Sequence, residues 1–85
     1  MAEELVGKIV KFFSRPSVAA IEVTDGSFQT GDTLWYKGHT TDYKEEVKSM
    51  EIDNQQVVKV KAGDLVGIKV KERVRENDRV YKLVE

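Results

Sequence analysis

The chain has 85 residues, with 14 basic and 15 acidic side chains giving a net charge of −1 and with no cysteine. That length allows one domain with a small core, spanning residues 1–85. The charge balance speaks against bulk electrostatic attraction to duplex nucleic acid, and the missing cysteine excludes disulfides and thiolate chemistry. No apolar run approaches the ~20 residues of a membrane span. The N-terminus MAEELVGKIV lacks a signal-type apolar core, so the expectation is a cytoplasmic protein with no membrane partner. High charge, no cysteine and only two asparagines match a composition common in thermophiles.

In chain order, Leu5–Phe13 is rich in Val, Ile and Phe and predicts a first strand. Ser14 to Ser17, with Pro16, turns the chain into a second strand over Val18–Val23. Gly31-Asp32 is a turn dipeptide, and Thr33–Lys37 alternates as a strand with Leu34 and Tyr36 inward and Trp35 outward. A long strand is predicted from Lys44 through Ile52, carrying Val47, Met50 and Ile52 inward. Val47 and Met50 are three apart, so it needs a bulge near Lys48-Ser49. Asp53–Gln56 reads as a turn and Val58 and Val60 as inward residues of a short strand. After the Ala62-Gly63-Asp64 turn, Val66, Ile68 and Val70 face in and Leu65 faces out. Glu72–Arg79 is charged around Val74, Asn77-Asp78 suits a positive φ, and Val80–Val84 is the last strand. There is no helical period, linker or repeat. Six or seven short antiparallel strands predict an all-β, closed Greek-key barrel, because closure removes exposed edges.

Gly31-Asp32, Val47-Lys48-Ser49-Met50-Glu51, Ala62-Gly63-Asp64-Leu65-Val66-Gly67 and Asp78 occur together in an order that resembles the β-barrel domain 2 of translational GTPases such as elongation factor Tu. The wording GHTTDYKEEVKSM is similar to small elongation-factor-like proteins and to the barrel at the end of some collagenase-like peptidases. The elongation-factor resemblance implies an acceptor-end site for tRNA, with Glu51 matching a pocket glutamate. Asp53 and Asn54 depart from that pattern, as does Leu65 in place of an asparagine.

GSFQTGDT at Gly26–Thr33 has the spacing of a phosphate loop, but Asp32 stands where the lysine belongs and would repel a nucleotide. His39 is the only histidine, so no metal site or nucleophile–base pair forms around it, and Asp42, Glu45 and Glu46 lack calcium-loop spacing. No cofactor is implied. Lys59, Lys61, Lys69, Lys71, Arg73 and Arg75 are all odd-numbered; a tight turn between two strands would set the four lysines on one face, a surface for RNA or a device for solubility. Trp35 and Leu65 are the outward apolar residues open to a protein partner. The expectation is a non-enzymatic module binding tRNA or other RNA. The alternative is a protein-interaction module on a larger enzyme, a ribosome-linked assembly or a component of the translation or RNA-modification machinery.

Overall fold

A computed structural model describes residues 2–84. These residues form ten strands and no helix: β1 (Ala2–Phe13), β2 (Val18–Val23), β3 (Ser27–Gln29), β4 (Thr33–Lys37), β5 (Asp42–Glu46), β6 (Met50–Ile52), β7 (Gln55–Val57), β8 (Lys59–Lys61), β9 (Leu65–Lys69) and β10 (Arg79–Val84). Every ladder is antiparallel. Eight strands form one sheet in the order β5-β4-β10-β1-β2-β9-β6-β7, and β3 pairs with β8 in a second. The all-β expectation holds, with more and shorter strands than the sequence suggests. No ladder joins β5 to β7, so the expected ring does not close through strand pairing. The small sheet is instead tied to the chain just beyond each edge: Gly31 donates to the Val47 carbonyl after β5, and Thr30 to that of Val58 after β7.

Leu34, Tyr36, Val66, Ile68 and Val70 are buried as their alternation predicts, Val74 is buried as the apolar anchor of its charged segment, and Phe28 of β3 joins them. Three expectations fail between residues 44 and 58. The predicted single strand is two, β5 pairing with β4 and β6 with β9, because the chain leaves the first ladder at Val47. The three-residue step from Val47 to Met50 is therefore a strand change and not a bulge. The predicted four-residue turn shrinks to Asp53-Asn54, both at positive φ (51° and 65°), which suits the twist of a two-residue hairpin between β6 and β7. Val58 is 72% exposed, since it lies between β7 and β8 where the alternation restarts.

The bulges fall on β1, where the register shifts between Leu5 and Gly7 against β10 and between Ile9 and Lys11 against β2. They let one twelve-residue strand serve two diverging ladders. Gly7 sits at the first shift because a Cβ there would collide with the Glu22 carbonyl oxygen.

Three turns repeat one device. In Gln29–Asp32, Lys61–Asp64 and Arg75–Asp78, the aspartate Oδ2 accepts from the amide three residues earlier (2.9, 3.0 and 2.8 Å), and its own amide donates back to that residue's carbonyl. The third residue has positive φ: Gly31 (96°), Gly63 (100°) and Asn77 (72°). Each turn then clamps a distant buried residue with two backbone hydrogen bonds: Gly31 and Asp32 hold Val47, Gly63 and Asp64 hold Val23, and Asn77 and Asp78 hold Ile9. The repeat that is invisible in the sequence is present in the hydrogen bonding.

Inside the sheet, Tyr36 and Tyr43 stack with ring centroids 5.9 Å apart. Burial raises the Tyr36 hydroxyl well above its ordinary value, helped by the charge of Glu45. Tyr43 is pushed up to about 12, first by burial and then by its hydrogen bond with Glu45. The neutral phenol is thus favoured in the folded state. Its contribution is full below about pH 10 and is lost as pH rises through the folded values. The urea midpoint should fall between pH 9 and pH 11.5, and Tyr43→Phe should flatten that fall; an equal slope in the variant would remove Tyr43 as a cause.

Candidate groove on the outer face of β2, β9 and β6

The registers Ala20↔Gly67 and Glu51↔Gly67 place an alanine, a glycine and a glutamate in one row across three strands. Two of those side chains are tiny or absent, so the outer surface dips to backbone between taller neighbours. The result is a groove of about 740 Å³. Leu65 and Lys69 rise from β9, Phe13 from the end of β1, Pro16 from the β1–β2 connection, and Glu51, Asp53 and Asn54 from β6 and its hairpin tip. Phe13 is 44% and Leu65 57% exposed, and the groove lining adds the Glu51 and Asp53 carboxylates and the Lys69 ammonium to their apolar surface. Apolar surface inside a polar rim is the ordinary make-up of a protein-docking patch.

The structure therefore brings together Glu51, Leu65 and Lys69 of the predicted site residues, and separates the rest. Lys59 and Lys61 lie on β8, which pairs with β3, while Lys69 lies on β9, which pairs with β2 and β6. The expected common face of four lysines does not form. Its premise was a hairpin at Ala62-Gly63-Asp64, but that turn is hydrogen-bonded to Val23 of β2 and makes a corner between sheets. Lys71 follows β9, its amide donating to Glu45 (3.2 Å). Arg73 and Arg75 line a shallow hollow with Phe12 on the β9–β10 connection. Trp35 is on β4, with β10, β1 and β2 between it and β9, so it and Leu65 occupy different faces. Phe13 is the contact residue the sequence reading missed. Its signal was the pair Phe12-Phe13, since neighbouring strand residues point to opposite faces.

Among the described residues no group of three or more His, Asp or Glu side chains is placed to hold a metal ion. Among the same residues no helix is long and apolar enough to cross a membrane. Gly26–Thr33, with its phosphate-loop spacing, is β3 followed by a turn in which Asp32 accepts from Gln29.

No protein-family model matches the chain. An uncharacterised protease of Methanocaldococcus jannaschii is 44% identical over 81 residues, covering 94% of this chain and 20% of that protein. A collagenase of Porphyromonas gingivalis is 37% identical over 78 residues, covering 91% of this chain and 22% of that protein. The chain thus spans about a fifth of the length of the curated relatives it matches. In fold it resembles the C-terminal domain of a Geobacillus thermoleovorans protein assigned to the U32 peptidases, with a TM-score of 0.87 over 95% of this chain and 93% of that one at 14% identity. GDP-bound aIF5B from Aeropyrum pernix gives a TM-score of 0.66 over 98% of this chain and 14% of that one at 16% identity, a likeness of fold alone. These findings overturn the elongation-factor identity and the tRNA- or RNA-binding role drawn from it. The turn motifs among those that carried that resemblance, Gly31-Asp32, Ala62-Gly63-Asp64 and Asp78, hold distant strands by backbone hydrogen bonds and so answer to the fold. The relatives that match nearly the whole chain are named for proteolysis, and what this chain resembles is one part of such proteins, of the kind that ends a U32 peptidase.

Proposed function

We propose that this chain is a non-catalytic interaction module of a larger U32-type peptidase assembly, seated on the enzyme through the Phe13–Leu65 groove. The observation that carries this is the match of nearly the whole chain to a fifth of proteins named as a protease and a collagenase. The groove supports it, with two exposed apolar anchors over a flat backbone floor and charges of both signs on its rim. The described residues offer no paired nucleophile and base, which favours a supporting role over a catalytic one. The hydrogen bonds from Gly31 and Thr30 to the chain beyond β5 and β7 favour reading the fold as a barrel closed through the small β3–β8 sheet. A cysteine-free chain gains nothing from an oxidising compartment, in keeping with a cytoplasmic setting.

The test mixes the chain with the U32-type peptidase of its source organism and follows association by calorimetry. Phe13→Asp and Leu65→Asp should each weaken the complex by about tenfold or more, a loss of about 1.4 kcal/mol. The chain alone should leave gelatin uncut. Hydrolysis by the chain, or a complex indifferent to both substitutions, would overturn the reading.

A further inference from the structure

A second surface, on the outer face of β5, β4 and β10, lies away from the groove. The registers set Lys44, Trp35, Tyr81 and Leu5 in one row across four strands, and Lys37 opposite Arg79 in the next. Trp35 and Tyr81 meet at 6.1 Å between ring centroids. The Trp35 indole N–H donates to Asp42 Oδ1 at 2.6 Å, which fixes the ring. Lys37 and Lys44 place their ammonium groups 4.6 and 4.7 Å from the Trp35 ring centre.

Among the described residues no carboxylate lies within ion-pair distance of Lys37, Lys44 or Arg79, whereas Lys8 and Lys82 each have a glutamate partner. Asp42, which the register sets opposite Lys37, accepts the indole hydrogen bond through Oδ1, and Glu46 lies two residues beyond Lys44 on the same face of β5. Beside the rings lies a hollow of about 390 Å³ whose lining includes Lys37, His39, Arg79 and Tyr81 and no carboxylate. Like charges directly opposed on paired strands repel, so the facing of Lys37 and Arg79 carries a cost that Asp42, opposite Lys37 on its other side, offsets only in part and an arriving anion relieves further.

We propose that this face binds an acidic peptide segment of a partner protein, its carboxylates meeting Lys37, Lys44 and Arg79 and an intervening apolar side chain lying along Tyr81 and Leu5. The cations occupy two rows and three strands, spaced about 4.8 Å apart, too far for one carboxylate to satisfy all three. A segment with several acids fits. A single-stranded nucleic acid fits poorly, because it binds by stacking bases on bare aromatic faces, and Trp35 is already covered by two ammonium groups. This proposal uses a separate face and does not depend on the groove.

Trp35 is the only tryptophan, so its fluorescence reports this site alone. The chain would be titrated with acetyl-Glu-Glu-Leu-Glu-Glu-amide, whose blocked ends leave side-chain carboxylates as its only acids, with the lysine counterpart and a six-nucleotide single-stranded RNA in parallel, and calorimetry confirming each isotherm. The acidic peptide should give a saturable signal that weakens with added salt. The pair Lys37→Gln and Arg79→Gln should weaken it at least tenfold, and Lys44→Gln, at another exposed position, should weaken it independently with an unchanged melting temperature. No heat or fluorescence change with the acidic peptide, RNA binding tighter than the peptide, or variants binding as the parent does would each overturn the proposal.

Discussion

Phe28→Ala is expected to lower the free energy of unfolding by about 3–5 kcal/mol. Phe28 is buried in the centre of β3, a strand of three residues whose only ladder partner is β8, itself three residues long. A ladder so short contributes few hydrogen bonds, so the small sheet is held to the large one chiefly by apolar contact, with Val60 opposite Phe28 on the same inward side. Removing the ring leaves a cavity that the backbone cannot close, because Thr30, Gly31 and Ala62 hydrogen-bond the ends of the two strands in place. A domain of this size has a total stability of about 4–13 kcal/mol, so the loss takes a large share. Urea denaturation measures it. A loss below about 1 kcal/mol would mean that the small sheet is not anchored through its core residue.

Asp78→Ala is expected to cost about 1–3 kcal/mol, and more than Asp32→Ala or Asp64→Ala. The three carboxylates do the same work at the same turn position. Asp78 is 4% exposed, whereas the matching hydrogen bonds of Asp32 and Asp64 lie at the surface, where water replaces a lost acceptor. The Asp78 side chain also fills the space beside Gly38, where a Cβ would collide with its Oδ1. Its removal opens both an unsatisfied Arg75 amide and a void. Thermal unfolding of the three single variants should give one large shift and two small ones; three equal shifts would show that burial adds nothing to this turn.

These two residues also mark how far the sequence can be read. Strands with strict alternation, such as Thr33–Lys37 and Val66–Val70, reveal their inward residues because one face is buried and the period is two. Leu65 and Trp35 are recognisable as outward by the same rule. What the sequence hides is pairing. Lys59, Lys61, Lys69 and Lys71 share a phase, yet phase says nothing of which strand lies beside which, and the corner at Gly63 is decided by hydrogen bonds to Val23, forty residues earlier in the chain. The Val47–Met50 step is hidden for a related reason, since a change of ladder and a bulge both break a period of two. The groove was half legible: Glu51 stands out by its match to a barrel motif and Leu65 by its outward phase, whereas its depth depends on Ala20 and Gly67 meeting across a ladder. The recurring Asp of the three turns is recognisable only once the partners Val47, Val23 and Ile9 are known.

The ladder between β1 and β10 has a mechanical consequence. It begins at Ala2↔Val84 and runs inward through Glu3↔Leu83 and Glu4↔Lys82, so the outermost pair joins the first and last described residues. Tension applied between those two residues acts across the strands and not along them. The hydrogen bonds then carry the load in succession, like teeth of a zipper, and never as a row in shear. Attachment through both ends would make this domain yield early under traction, whereas attachment through one end leaves the seam unloaded.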